Sequence, residues 1–184
     1  LYYILKYLED IKYVNCSIFR KGIVPSEIVL TPKGWDKHEE LQGQGIDSNQ
    51  VFLAMNFDKE FNDVLENGFI PAIEGAGYDC LHIGRKEHNK KICEEIMREI
   101  DKSKFLVADV TGKKSGVYFE AGYAKGKGID VIWSCRKDKK DEDMHFDTQQ
   151  YSHVLWTNSK DLKEKLYNRI IGTMRFGKNY KPQE

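Results

Sequence analysis

Phe105 to Lys127, FLVADVTGKKSGVYFEAGYAKGK, is the stretch on which the fold turns. Phe105-Leu106-Val107-Ala108 is apolar without alternation, the pattern of a strand covered on both faces. Asp109 and Thr111 close it, and Gly112-Lys113-Lys114-Ser115-Gly116 reads as a loop. From Val117 the pattern is helical, which sets Glu120 in about the first turn, near the carboxyl end of the strand. In open α/β sheets that edge is where ligands bind. Tyr118, Phe119, Ala121, Gly122 and Tyr123 surround Glu120 and describe a pocket rather than a solvated face. A carboxylate there can attack a sugar carbon or bind a ribose hydroxyl. It is equally the residue that a helix dipole favours near its amino end.

Outward from this unit, strands and helices alternate. Val51-Phe52-Leu53-Ala54-Met55 reads as a strand. Residues 61–76 follow as a helix, with apolar residues at 61, 64, 65, 69, 70 and 73, and Pro71 inside it predicts a kink or break. Tyr78 to Ile83 is a second strand, and Ile92, Ile96 and Ile100 mark a helix over about 89–102. Beyond Lys127, Ile129 to Ser134 and Tyr151 to Trp156 are strands separated by a charged loop at 136–144. Asp161 to Met174 is a closing helix. This alternation predicts an α/β fold, a flavodoxin-like or Rossmann-like doubly wound, mainly parallel sheet of five strands over residues 50–178. Right-handed crossovers put helices on both faces.

Residues 1–45 read as a separate appendage. Apolar residues at 1, 4, 5, 8 and 11 predict a helix. Val14 to Phe19 and Ile23 to Leu30 predict two strands about a turn at Arg20-Lys21-Gly22. Thr31-Pro32 is a helix start, with Thr as N-cap and Pro in the first turn. Helix, ribbon and helix look like the back end of a winged helix-turn-helix, the alternative being an appendage that only packs against the sheet or makes a dimer contact, and 42–50 reads as a linker.

Lys and Arg number 29, as do Asp and Glu, and no basic block of five or more residues occurs. That argues against broad binding to nucleic acid or anionic membranes. Residues 1–50 hold six Lys/Arg against seven Asp/Glu, which argues against DNA binding through this part. No apolar run is long enough to span a membrane. Cys16, Cys80, Cys93 and Cys135 form no CxxC pair, and free thiols in a reducing cytoplasm are the expectation. The first residue is Leu1, which predicts a piece of a longer polypeptide with a further domain upstream.

The loops after successive strands meet at one sheet edge. They bring Asn56, Phe57 and Asp58, then Gly84, Arg85, His88 and Asn89, then Asp109 and Thr111, then Arg136. His145, Phe146 and Asp147 come just before the last strand. Two carboxylates across a glycosidic bond are the usual device for glycosyl transfer, one attacking the anomeric carbon and the other shuttling a proton. Glu120 fits the nucleophile, and Asp109, Glu94 or Glu95 the acid/base. Each also fits a bland role, Asp109 as a turn cap and Glu94 and Glu95 as partners of a helix dipole. His145 and Asp147, two apart, can face the same side or form a strand-entry turn. Neither GxGxxG nor a P-loop is present, which argues against a dinucleotide bound in the usual Rossmann manner or a nucleoside triphosphate on a Walker loop, so no cofactor is expected; Cys93 with His82 or His88 matches no metal-site spacing, so no metal is expected.

Five blocks, VFLAMNFD (51–58), PAIEGAGYDCLHI (71–83), ICEEIMREIDKSKFLVADVTG (92–112), GVYFEAGYAKGKGIDVIW (116–133) and HFDTQQY (145–151), together resemble the nucleoside 2-deoxyribosyltransferase-like domain. The resemblance covers about residues 50–157, and VADVTG with GVYFEAGYA is its most specific part. It implies a nucleoside or nucleotide ligand attacked at its N-glycosidic bond, and homo-oligomers with sites near subunit contacts. The family's nucleophile falls on Glu120, its third-strand Asp on Asp109, and its acidic helix residue on Glu94 or Glu95. Its ligand loop falls on Phe52, Ala54, Met55, Asn56 and Phe57, and Gly116, Tyr118, Tyr123, His145 and Asp147 complete the expected binding residues. Transfer to a second base, hydrolysis, NAD cleavage, and binding without turnover as a sensor module all remain open at this point.

Overall fold

The computed structural model describes residues 2–17, 25, 27–42, 48–83 and 90–182, with the side chains of 38–42 and 90–92 left aside. The expected turn at 20–22, most of the linker, and Gly84, Arg85, His88 and Asn89 therefore lie outside the described residues. The chain divides into two compact units, Leu1–Ile46 and Asp47–Glu184.

In the first unit, helix α1 (Tyr2–Asp10) precedes strands β1 (Val14–Cys16) and β2 (Ile28–Leu30), and helix α2 (Pro32–Gln42) follows. The two strands pair antiparallel, Val14 opposite Leu30. Thr31 caps α2 as its sequence predicts, its Oγ1 accepting from the Gly34 N–H at 3.0 Å.

The second unit is a five-stranded, all-parallel sheet in the order β4-β3-β5-β6-β7. The strands are β3 (Gln50–Ala54), β4 (Asp79–Leu81), β5 (Phe105–Asp109), β6 (Asp130–Arg136) and β7 (His153–Trp156). Every residue of β5 is buried, as its unbroken apolar run requires of the central strand. Helices cover both faces, giving the doubly wound α/β architecture. Phe61, Phe69 and Ile73 of the helical run 59–75 (α3) pack with Leu162, Leu166 and Ile170 of Ser159–Met174 (α6) on one face. Ile100 of α4 (Lys90–Asp101) and Val117, Ala121 and Ala124 of α5 (Ser115–Gly126) cover the other.

Three boundaries differ from the sequence expectation for identifiable reasons. Pro71 does not break α3. The run widens to a π-helix over Leu65–Phe69, where the Ile70 N–H reaches back to the Leu65 carbonyl, and Pro71 falls in the first turn of the α-helical Ile70–Gly75. α5 starts at Ser115, so Glu120 lies in its second turn. The charged stretch at 136–144 is not a loop throughout: Lys137–Lys139 is a 3-10 turn and Lys140–Asp143 a turn of α-helix.

After α6 the chain returns along the amino end of the sheet. The Asn179 N–H donates to the Gly77 carbonyl at 3.0 Å, and the Asn49 side chain bonds both Gly77 and the Lys178 N–H. Gly77 has φ +89, and a Cβ there would stand 2.4 Å from the Tyr180 nitrogen. Gly77→Ala is therefore expected to lower stability by about 1–3 kcal/mol. Gly122→Ala, on α5 with open space beside it, is expected to raise it by about 0.5–1 kcal/mol. Urea unfolding of both variants beside wild type checks the pair.

Candidate functional site

The strand order reverses direction between β3 and β5, and the crevice at their carboxyl ends is the position that this architecture offers to a ligand. The residues after β3 and the loop into α5 border it. A narrow pocket of about 50 Å³ lies there, lined by Phe52, Leu53, Met55 and Phe57, by Ile83 after β4 and Ile96 on α4, and by Gly116, Val117 and Glu120 on α5. Glu120 is the one titratable side chain in that described lining. It is half-buried, and its carboxylate is set against an apolar wall. About 50 Å³ holds a few waters, so a nucleoside-sized ligand must displace at least one lining side chain.

Four of the expected binding residues, Phe52, Met55, Phe57 and Gly116, thus meet Glu120 at one pocket. Ala54 and Asn56 do not line it. Ala54 is buried in the strand, and Asn56 turns its Oδ1 to the Asp58 N–H at 3.1 Å. Glu94 and Glu95 are exposed on α4, where Ile96 is the residue that faces the pocket. Tyr123 donates its hydroxyl to the Asp101 carboxylate at 3.0 Å and so ties α5 to α4. Tyr118 donates to the Asp143 carbonyl at 2.8 Å and accepts from the His145 N–H at 3.0 Å, fastening the segment before β7 to α5. His145 and Asp147 do face the same side, Nδ1 to Oδ2 at 3.2 Å. They are exposed, and His145 caps the short 3-10 turn Phe146–Thr148 that leads toward β7.

Asp109 ends β5 and is 1% exposed. Its Oδ2 accepts from the Ser134 hydroxyl at 2.7 Å and the Trp156 indole N–H at 2.8 Å, and its Oδ1 from the Thr111 N–H at 3.1 Å. Its carboxylate joins the ends of three strands and fixes the turn into α5. Thr111 Oγ1 then accepts from the Arg136 N–H at 2.9 Å, and the Gly112 N–H donates to Asp143 at 2.7 Å. Gly112 has φ +82, and its missing side chain leaves room for Asn56. One ion pair, Lys114 to Asp58 at 2.8 Å, links the two loops that border the crevice.

The sequence reading missed Ser134 and Trp156 as partners of Asp109. The signal for Ser134 was a lone hydroxyl in the otherwise apolar IDVIWSC. Trp156 at the end of its strand carried no comparable mark. Ile83 and Ile96 were read as strand and helix stripe, and their role as pocket wall depends on how α4 lies against α5.

A search with protein-family models finds none that matches this chain, and the curated proteins hold no sequence match to it.

Burial pushes the Asp109 carboxyl above the usual carboxylate range, against the opposing pull of the Thr111, Ser134 and Trp156 donors. A raised folded-state value means that the native protein holds this proton more tightly than the unfolded chain does. The resulting stability is complete below the ordinary carboxylate value, about pH 4, and is lost as pH rises through the folded-state value. The stability difference between wild type and Asp109→Asn is therefore expected to favour wild type most near pH 4 and to shrink toward neutrality. At the acid end the amide is expected to cost about 1–3 kcal/mol, because one oxygen cannot replace two. Denaturant unfolding of both proteins at several pH values reads the trend, and a gap that widened with pH would oppose it.

Proposed function

We propose that this protein cleaves or transfers at the N-glycosidic bond of a nucleoside or nucleotide, with Glu120 as nucleophile. The observation that carries the reading is the place of Glu120: a half-buried carboxylate in an apolar pocket, at the carboxyl edge and switch point of a doubly wound sheet. The resemblance of residues 50–157 to nucleoside 2-deoxyribosyltransferase-like domains supports the same ligand class. The Glu120 carboxylate attacks the anomeric carbon, the bond to the base nitrogen breaks with its electron pair leaving on the base, and a sugar ester of Glu120 results. Water or a second base then attacks the anomeric carbon of that ester, the bond from this carbon to the Glu120 oxygen breaks, and the carboxylate is restored. Phe57, Met55 and Ile83 supply apolar surface for the base, and exclusion of water there strengthens the electrostatic part of catalysis. NAD cleavage is a variant of the same chemistry.

Binding without turnover is the second reading. It draws on the placement of Asp109, Glu94 and Glu95, none of which lines the pocket. A mass-spectrometric screen against deoxynucleosides, their monophosphates and NAD separates the two. The catalytic reading expects free base from wild type and a loss of at least about a thousandfold in Glu120→Gln. Base released equally by both proteins would rule out the nucleophile. A ligand that raised the melting temperature of both, with no base released by either, would favour binding alone.

A further inference from the structure

Helix α1 carries apolar residues on two sides, and its own unit accounts for one of them. Leu5 is buried, and Glu9, one turn on, accepts the Cys16 N–H of β1 at 3.4 Å. The opposite side presents Tyr3 at 72% exposure and Ile4 and Tyr7 at 63% each. Ile11 extends that row, its N–H continuing the helical bonding to the Tyr7 carbonyl at 3.1 Å. Residues 4, 7 and 11 repeat at the three-and-four spacing with which one helix packs along another. A surface helix normally turns charge, not tyrosine and isoleucine, to water on its outer side.

The unit around α1 has little core of its own. Within Leu1–Ile46, Leu5 and Val14 are the buried apolar side chains among the described residues. Its two strands have three residues each, and an isolated pair of that length is marginal in water. Ile28 and Val29, neighbours that point to opposite faces of the ribbon, are both about half exposed, as is Trp35 of α2. Small units of this kind draw on a disulfide, a metal or association. Cys16 is the sole cysteine of residues 1–46, and no cluster of metal ligands occurs among the described residues. Association is the route that remains.

Area and charge identify the partner. Tyr3, Ile4, Tyr7, Ile28, Val29 and Trp35 leave on the order of 600 Å² of surface open per copy, close to the roughly 800 Å² that each side of a standard dimer hides. Lys6 and Asp10, four residues apart and both exposed, stand along one flank of the α1 face. A twofold axis across the middle of the helix sets Lys6 of one copy beside Asp10 of the other, and does so twice. A parallel pair would set like charge against like charge at both positions. The apolar row is self-complementary in the same antiparallel sense, with Ile4 meeting Ile11 of the second copy and the two Tyr7 rings at the centre.

We propose that this face is a homodimer interface in which α1 packs antiparallel on α1 of a second copy. Tyr3, Ile4 and Tyr7 supply the apolar contact, and the two Lys6–Asp10 pairs set the direction. The inference is independent of the chemistry at Glu120.

Sedimentation equilibrium of the whole chain tests it. Wild type is expected to show a monomer–dimer equilibrium with a Kd of about 1–50 µM. Tyr7→Asp, at the centre of the face, is expected to raise the Kd at least about a hundredfold. Lys6→Glu and Asp10→Lys each raise it about tenfold. An equimolar mixture of these two variants recovers the association of wild type, because their heterodimer has opposite charges at both contacts. Within each helix the charges at 6 and 10 are as mismatched in the mixture as alone, so recovery reports contact between copies. Far-UV circular dichroism checks the fold of each variant, and should Tyr7→Asp lose it, the charge variants and their mixture decide. Wild type that stays monomeric at about 100 µM overturns the proposal, whether footprinting then finds Tyr3 and Tyr7 open or shielded within their own chain. A dimer indifferent to Tyr7→Asp, or a mixture no tighter than either charge variant alone, overturns it too.

Discussion

The carboxylate of Asp109 is the interaction on which the rest of this edge depends. β5 is central and covered on both faces, so its backbone must leave the sheet at a point closed to water. Asp109 accepts the Thr111 N–H that the turn would otherwise orphan, and it takes the Ser134 hydroxyl and the Trp156 indole from the two following strands. A fully buried carboxylate is unfavourable without such donors. With three of them it holds the ends of β5, β6 and β7 in one arrangement. Thr111 and Gly112 then pass the restraint on to Arg136 and Asp143.

This arrangement determines how Glu120 is presented. α5 begins at Ser115, shortly after the turn that Asp109 fixes, and its buried side, Val117, Ala121 and Ala124, rests on the sheet. Small residues at 121 and 124 let the helix lie close. Glu120 is thereby directed to the crevice between β3 and β5, where apolar side chains from β3, α4, α5 and the loops after β3 and β4 meet it. Tyr118 and Tyr123, one on either side of it in sequence, turn to 143–145 and to Asp101 and hold the helix rather than a ligand. The proposed division of labour follows: Asp109 positions and Glu120 attacks.

The sheet was legible because its strands are short, apolar and separated by helices with clear periodicity. Phe105–Ala108 and the isoleucines of α4 left little choice of element, and alternation then implied parallel pairing. Glu120 was legible because a carboxylate amid Tyr, Phe, Ala and Gly is unusual for a solvated helix. The partners of Asp109 were not, since they come from residues 25 and 47 positions away and depend on strand order. The tyrosines misled for a related reason. Aromatic residues beside a carboxylate suggest a pocket, but helical geometry turns neighbours of Glu120 away from it. The widened turn before Pro71 was also hidden, because sequence shows the missing N–H but not how the helix absorbs it.

The central claim is that Glu120 forms a covalent bond to the sugar. Acid quenching during turnover, followed by proteolysis and mass measurement of the peptide that contains Glu120, tests it most directly. The account predicts a glycosyl adduct on that peptide in wild type and its absence in Glu120→Gln. Base release with no adduct on Glu120 at any quench time, or with the adduct on another residue, would contradict it.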